Sequence, residues 1–184
     1  MAALVVALLC QIGDRPAWLA AVLADRYARP GTVIAAATLA LAAASTIAVV
    51  AGALVAPHLS PNARQLMLAL SLALQGGGAL WPVAAPDRLD GWRLGALLTA
   101  TLGLFILLFG DGLEFIVFAL AARSPVPPLA AVGATLGGLA VIATAALMGE
   151  AAWLRLPQRA VRRVVGALFL FAALVLGLGA FGLI

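Results

Sequence analysis

The chain has 184 residues, of which 65% are hydrophobic and only 10% are charged. Soluble domains typically carry about a quarter charged residues, so this composition excludes an ordinary soluble protein and favours an all-α integral membrane protein. The net charge of +4 is not accompanied by a nucleic-acid-binding motif, so no nucleic-acid partner is expected.

Six apolar runs follow one another along the chain, and each is close to the roughly 20 residues that a helix needs to cross a hydrocarbon core. The connections between them are too short to hold a soluble domain. The sequence therefore predicts six transmembrane helices surrounded by the lipid bilayer. The predicted spans are residues 1–24, 32–56, 66–83, 94–122, 129–149 and 161–184.

The basic residues are distributed unevenly among the connections. All eleven are arginines, and eight of them follow the first, third or fifth span, whereas Arg64 and Arg123 follow the second and fourth. Arginine-rich connections tend to stay in the cytoplasm, so both termini are predicted to be extracytoplasmic. A lysine-free composition rich in alanine and arginine is typical of a bacterial gene of high GC content, which favours a bacterial inner membrane.

The two halves of the chain resemble each other. A shift of 97 residues superimposes several identical residues without a gap, including rare ones. Because each half holds three spans, an odd number, the second half is predicted to lie inverted in the membrane. The sequence therefore predicts two inverted three-helix repeats, residues 1–83 and 93–184, with a cytoplasmic linker at 84–92. The superimposed residues include Gly13-Asp14 and Gly110-Asp111, Pro30 and Pro127, and Gly52 and Gly149.

One aspartate lies deep in the first span and another in the fourth. Asp14 would be about 20 Å along a helix that starts at Met1, at 1.5 Å per residue, and Asp111 is similarly deep in its span. A carboxylate at that depth costs about 2.5 to 3.5 kcal/mol on insertion scales and normally faces a partner, a cation or a proton path. The pair predicts an ion site between the repeats, although each aspartate could instead hold Arg15 or bond to a neighbouring helix.

Two further polar side chains accompany the aspartates. Gln11 lies three residues before Asp14, and Glu114 lies three residues after Asp111, so each pair is predicted to share one helix face. All four side chains offer oxygen atoms to a metal ion. The predicted metal ligands are therefore Gln11, Asp14, Asp111 and Glu114.

Helix breakers flank both aspartates. Pro16 has no N–H, so in a regular helix the carbonyl of Ile12 would lose its partner and become free beside Asp14. Glycines let the backbone leave the helical conformation, and discontinuous helices of this kind build ion sites in transporters. The residues predicted to support the site are Ile12, Gly13, Arg15, Pro16, Gly110 and Gly112.

The charges of this group favour a divalent cation. Three acids, Asp14, Asp111 and Glu114, together with Arg15 leave a net charge of −2, which one divalent ion would neutralise. Oxygen ligands suit hard ions such as Ca²⁺, Mn²⁺ or Mg²⁺. Because removal from water disfavours a charged carboxylate, protons are expected to replace the metal when it leaves. Cation/proton exchange follows as a hypothesis.

At these residues the chain resembles the Gdt-type cation exchangers, six-helix proteins that carry the motif Glu-x-Gly-Asp-Lys/Arg-Thr/Ser once in each half. The two copies here read QIGDRP at residues 11–16 and LFGDGL at residues 108–113. The resemblance covers nearly the whole chain, including the stretch LAARSPVPPLAAVGATLGG that follows the second motif. It implies a membrane transporter that exchanges Mn²⁺ or Ca²⁺ for protons and binds the ion with the motif acids of both halves.

Both motif copies depart from the family pattern. Gln11 and Leu108 replace the two glutamates, and Pro16 and Leu113 replace the Thr/Ser residues. Gln11 can still offer an oxygen, whereas Leu108 can offer none. Glu114 could supply the missing carboxylate, or it could serve only in packing.

Three functional classes remain open from the sequence. The first is a secondary transporter that exchanges a divalent cation for protons, and the second is a degenerate, non-transporting relative that acts as a partner subunit or scaffold. The third is a transporter or channel for another solute. An enzyme is not expected, because His58 lies in a loop and Cys10 has no base nearby in the sequence. No cofactor is expected beyond the transported ion and protons, and both homo- and hetero-oligomers remain open.

Overall fold

The computed structural model describes residues 1–183, which form α-helices and connections, with no strand among them. This architecture confirms the predicted all-α class. The last predicted span, 161–184, ends at Ile184, which lies outside the described residues. The α-helices are α1 (Ala2–Gln11), α2 (Arg15–Tyr27), α3 (Pro30–Val55), α4 (Pro61–Leu80), α5 (Gly95–Phe109), α6 (Gly112–Arg123), α7 (Pro128–Trp153) and α8 (Gln158–Ala180).

Proline and serine mark the starts of several helices. Pro30, Pro61 and Pro128 lie in the first turns of α3, α4 and α7, where a missing N–H has no helical partner to lose. At α4 the hydroxyl oxygen of Ser60 also accepts a hydrogen bond from the N–H of Ala63 at 3.2 Å, which caps the helix. Local sequence therefore sets where these long helices begin.

Length and apolar composition identify three helices of the described chain that can cross a bilayer: Pro30–His58, Pro128–Trp153 and Gln158–Ala180. Two bent pairs, α1 with α2 and α5 with α6, raise this number to five if each pair is one span. Helix α4, which occupies the third predicted span, is not among them, because Arg64, Gln65 and Gln75 make it more polar. Six spans therefore remain a prediction.

The first and fourth predicted spans are each broken into two helices. The axes of α1 and α2 differ by 63°, and those of α5 and α6 differ by 66°. Both breaks occur at the Gly-Asp pairs, where the sequence contains its helix breakers. At the first break Gly13 has a φ of +73°, in the left-handed region that residues with a side chain rarely adopt, and the chain therefore turns there.

The two halves of the chain pack against each other reciprocally. Helices α1 and α2 lie against α7, whereas α5 and α6 lie against α3; in addition, α3 contacts α7 and α4 contacts α8. Small residues let these helices approach closely. A Cβ atom on Gly76 of α4 would lie only 2.9 Å from the carbonyl oxygen of Gly166 on α8. Each half therefore completes the core of the other.

Large apolar side chains cover much of the outer surface. Leu39, Leu54, Leu147 and Phe171 are more than half exposed, and many other leucine and valine side chains share this position. Exposed apolar surface on this scale suits a lipid environment better than water. Together with the span-length apolar helices, it identifies an integral membrane protein.

Ionic contacts join α2, the α4–α5 connection and α7. The Arg26 guanidinium lies 3.4 Å from Asp90 and that of Arg88 lies 2.7 Å from Glu150. The N–H of Glu150 also donates to the carboxylate of Asp25 at 2.8 Å. These contacts hold the C-terminal end of α2 against α7.

Candidate cation site at the helix breaks

Each aspartate of the two Gly-Asp pairs caps the helix that follows its break. Oδ1 of Asp14 accepts a hydrogen bond from the N–H of Arg15 at 2.9 Å, and Oδ1 of Asp111 accepts one from the N–H of Gly112 at 2.8 Å. A helix start carries N–H groups without helical partners and a partial positive charge, so it favours a carboxylate. The same short motif therefore ends one helix and starts the next in both halves.

Asp14 and Asp111 line one cavity of about 340 Å³. This volume would hold on the order of ten water molecules at about 30 Å³ each. The lining comes from both breaks, from α4 and its C-terminal end, and from α8. The structure thus places the two predicted acids, one from each half, around one space large enough for a partly hydrated cation.

Arg162 of α8 reaches Asp14 in this cavity. Its Nη1 lies 3.3 Å from Oδ1 of Asp14, its Nη2 donates to the carbonyl oxygen of Gly78 at 3.2 Å, and both charged side chains are only 13% exposed. The arginine pattern gave Arg162 only a topological role, although the predicted span 161–184 includes it. Helix α8 begins at Gln158, so Arg162 lies in its second turn, and its side chain reaches the cavity.

Asp111 has no comparable partner. Its Oδ2 is buried and has no hydrogen-bond partner among the described residues. A buried polar atom of this kind usually binds water or an ion, and leaving it unsatisfied costs free energy. This oxygen is therefore a buried acceptor, in a residue that lines the cavity, to which the described residues supply no donor.

Gln75 of α4 is a cavity residue that the sequence analysis did not single out. A Cβ atom on Gly112 would overlap its amide oxygen, so the glycine lets Gln75 lie against the start of α6. The available signal was a single amide within the apolar run of residues 66–83. Gln75 adds a neutral oxygen to the two carboxylates.

Gln11 does not line this cavity. It is the last residue of α1, its side chain is fully buried, and neither of its side-chain polar atoms has a partner within the described chain. The predicted face shared by Gln11 and Asp14 is wrong, because a spacing of three residues defines a common face only within one continuous helix. Here the break at Ile12 and Gly13 separates them.

Glu114 also lies outside the cavity lining, although it lies in the first turn of α6, the helix that Asp111 caps. Its side chain is 6% exposed, and Oε1 accepts a hydrogen bond from the hydroxyl of Ser45 at 3.2 Å. Its Oε2 is buried without a partner in residues 1–183. Glu114 therefore faces α3, one turn along from the cavity.

The residues predicted to support the site occupy the two breaks. Ile12 is extended between α1 and α2, so its carbonyl is released by the end of α1 and not by Pro16. That mechanism was wrong, because Pro16 lies in the first turn of α2, where its missing N–H has no partner to lose. Arg15 and Gly110 line the cavity with Pro16, and Arg15 has an exposed side chain.

The carboxylates alone do not form a metal cluster. Within the part of the chain that the structure describes, no group of three or more His, Cys, Asp or Glu side chains is arranged to hold a metal ion. A cation in the cavity would have two carboxylates, an amide oxygen, backbone oxygens and water as ligands. Hard divalent ions commonly accept such mixed oxygen sets, and the smaller ones retain several waters.

Comparisons with known proteins agree with the motif resemblance. Residues 1–87 and 96–182 match the family described as "Divalent cation/proton antiporter GDT1". The chain is also 32% identical over 171 residues to a protein of Vibrio cholerae serotype O1 named "Putative manganese exporter", and this alignment covers 90% of the chain and 84% of the relative. No solved structure is significantly similar to the chain.

The family match spans both halves of the molecule. It includes both helix breaks, the two capping aspartates and the residues of α4 and α8 that line the cavity. It therefore covers the motif copies on which the resemblance rests and also the elements that surround them. The chain belongs to the GDT1 family of divalent cation/proton antiporters, which is a family of membrane transporters.

Proposed function

We propose that this transporter exchanges a divalent cation, Mn²⁺ or Ca²⁺, for protons. The observation that carries the proposal is the cavity shared by Asp14 and Asp111, one aspartate from each half. Two carboxylates balance one divalent charge, and the amide oxygen of Gln75 and water extend an oxygen ligand set that such ions prefer. The name of the Vibrio relative makes Mn²⁺ the first ion to test.

Gln11 and Glu114 enter the proposed ligand set in a different conformation of the transporter. Both are buried beside a helix break, and both carry side-chain atoms without a hydrogen-bond partner in residues 1–183. Rotation of α1 or α6 at its break would turn these side chains toward the cavity. Their oxygens would then replace waters around the bound ion.

Protons are proposed to take the place of the departing ion. A charged carboxylate away from water is costly unless it is paired or hydrogen-bonded, and Oδ2 of Asp111 has no partner in the described chain. Cation binding and protonation each relieve this cost, but one carboxylate cannot bind both at once. Competition at the same oxygen would therefore couple the two flows.

The proposed architecture consists of six spans in two inverted repeats, residues 1–83 and 93–184, with a linker at 84–92. Reciprocal packing supports it, because α1 and α2 contact α7 as α5 and α6 contact α3. The identical capping at the two breaks supports it as well. With the arginine-rich connections inside, both termini are extracytoplasmic, and the proposed location is a bacterial inner membrane.

Ion flux through the purified chain tests this function. Liposomes with an imposed pH gradient should take up Mn²⁺ while releasing protons, and Asp14→Asn or Asp111→Asn should each reduce both flows to the background of empty liposomes. Asp90→Asn is the matched control, because Asp90 lies outside the cavity with a 76% exposed side chain. Wild-type flux in both cavity variants would reject the proposed site.

A second candidate is a non-transporting relative that serves as a partner subunit or scaffold. One observation favours it: Arg15 and Arg162 line the same cavity as the two aspartates, so the formal charges of the lining balance. Leu108, where the family has a glutamate, adds no ligand. Absence of flux from a folded wild-type chain, together with copurification of a second transporter subunit, would support this candidate, whereas flux by the chain alone would exclude it.

A further inference from the structure

We infer that Arg162 is an internal counter-cation of the transport site, which pairs with Asp14 when no divalent ion is bound and must release Asp14 when one binds. This inference rests on the proposed function, because it describes how the same cavity alternates between occupants. Its basis is the ion pair of 3.3 Å between Nη1 of Arg162 and Oδ1 of Asp14. The two residues come from different helices and meet within the cavity.

The surroundings distinguish this pair from an ordinary surface ion pair. Exposed pairs are screened by water and contribute little, but both side chains here are only 13% exposed. The second guanidinium nitrogen, Nη2, donates to the carbonyl oxygen of Gly78 at the C-terminal end of α4. Arg162 therefore has two separable contacts, a neutral one to α4 and a charged one to Asp14.

In the other half of the molecule, the corresponding residue makes only the neutral contact between helices. The shift of 97 residues places Gln65 of α4 opposite Arg162 of α8. Nε2 of Gln65 donates to the carbonyl oxygen of Leu176 on α8 at 2.9 Å, just as Nη2 of Arg162 donates to Gly78 on α4. A neutral amide is thus sufficient for the helix-to-helix contact, and the charge of Arg162 is left to act on Asp14.

Arg162 and a divalent ion cannot both contact Asp14 without strong repulsion. Oδ1 of Asp14 already accepts the N–H of Arg15 and faces the guanidinium, and like charges a few ångströms apart repel more strongly where the side chains are largely buried. The divalent ion must therefore displace the guanidinium from Asp14. When the ion leaves, Arg162 returns, so Asp14 always has a cation beside it.

Arg162→Gln gives the decisive measurement, because it reproduces the neutral residue found at position 65. Mn²⁺ binding to the purified protein, measured from the electron paramagnetic resonance signal of free Mn²⁺, should become about tenfold tighter once the competing charge is gone. Turnover in liposomes should fall, because Asp14 is then left without a cation after release. The matched control is Arg163→Gln, because Arg163 is exposed and has no acidic partner within 4.0 Å in the described chain. The Mn²⁺ affinity of this variant should equal that of the wild type.

A second measurement uses the unmodified protein and does not depend on the folding of a variant. Phenylglyoxal modifies accessible arginines, and mass spectrometry locates the modified side chain. Mn²⁺ should increase modification of Arg162, because the ion releases this side chain from Asp14, while modification of Arg163 stays constant.

The variant Arg162→Lys keeps the positive charge. It should therefore bind Mn²⁺ within about threefold of the wild type.

The outcomes separate this inference from the proposed function. Unchanged or weaker Mn²⁺ binding in folded Arg162→Gln, or unchanged modification of Arg162 on addition of Mn²⁺, overturns the inference while wild-type binding still depends on Asp14 and Asp111. If the wild-type protein does not bind Mn²⁺, or binds it without those aspartates, the proposed function fails first. Tighter binding that disappears in Asp14→Asn/Arg162→Gln would support both.

Discussion

The two helix breaks have the same backbone design but different electrostatic surroundings. In each, a Gly-Asp pair ends one helix, and the aspartate caps the next through the N–H of the following residue. Asp14 then pairs with Arg162, whereas Oδ2 of Asp111 has no partner within residues 1–183. Two aspartates at corresponding positions of the two halves therefore share one backbone design while their charged partners differ, and their tasks are open to separate tests.

Replacement of each aspartate by asparagine should separate these tasks most strongly. Both variants should lose Mn²⁺ flux, but only Asp14→Asn should destabilise the protein, because it leaves the largely buried Arg162 without its carboxylate, at a cost of about 3 kcal/mol. Asp111→Asn removes a carboxylate whose Oδ2 is buried without a partner in the described chain, so the stability of this variant should be unchanged or higher. Asparagine caps helices about as well as aspartate, so the caps are retained in both variants. Thermal unfolding in detergent measures the contrast.

The companion variant Asp14→Asn/Arg162→Gln provides the control for this comparison. Removal of both charges should recover most of the stability that Asp14→Asn loses, without any return of flux. Equal stability of Asp14→Asn and Asp111→Asn would mean that the ion pair of Arg162 does not distinguish the two breaks.

Alanine at the two motif glycines should compare the backbones of the breaks. Gly13 has a φ of +73°, and a Cβ there would lie 2.9 Å from Cβ of Gln158. Gly13→Ala should therefore lower the free energy of unfolding by about 1–2 kcal/mol or more. Gly110 has a φ of −86° and room for a Cβ at 3.4 Å from the carbonyl oxygen of Ile106, so Gly110→Ala should be nearly neutral. Similar losses in chemical or thermal unfolding would contradict a backbone difference between the breaks.

Ser45→Ala should test the acid that only the second break contains. Glu114 corresponds to Ala17 in the first half, and its one hydrogen bond comes from Ser45. Loss of that donor leaves both buried carboxylate oxygens without a partner and should lower the free energy of unfolding by about 1–3 kcal/mol. Glu114→Gln keeps an acceptor for Ser45 and should not share this loss in thermal unfolding. If Glu114→Gln destabilises the protein whereas Ser45→Ala does not, the hydrogen bond from Ser45 is not what stabilises the buried Glu114.

Gly112→Ala should give the smallest effect, on Mn²⁺ affinity. The new Cβ would overlap the amide oxygen of Gln75, so this side chain has to move away from the start of α6. If Gln75 supplies an oxygen to the ion, Mn²⁺ binding should weaken severalfold in the resonance titration. Gly31→Ala serves as control, because Gly31 lies outside the cavity lining and its new Cβ would have no atom within 4 Å. Unchanged affinity in Gly112→Ala would remove Gln75 from the ligand set.

The sequence was informative wherever rare residues interrupt an apolar background. The two Gly-Asp pairs located both helix breaks and the two aspartates that share the cavity, because glycine and aspartate are poor residues for the middle of a membrane helix. The apolar runs gave the all-α class. Their lengths could not establish whether α4 counts as a span, since its polar residues bring it near the limit of such a criterion.

Contacts across the break and between distant helices could not be read from spacing. Gln11 and Asp14 are three residues apart, yet the 63° bend sends them into different environments. From the sequence, Arg162 could not be distinguished from the neighbouring arginines that predict the topology. Its place in the cavity depends on the packing of α8 against α4. Gln75 was overlooked for the same reason, since one amide in a leucine-rich run does not reveal what it faces.

The break between α1 and α2 lies next to Asp14 and can act as a pivot about which α1 tilts. Helix α1 has 10 residues and is therefore about 15 Å long, so a tilt of about 10° at the pivot moves its far end by about 3 Å. Asp14, next to the pivot, hardly moves during such a tilt. The geometry around Asp14 can then stay nearly constant while the remote end of α1 moves.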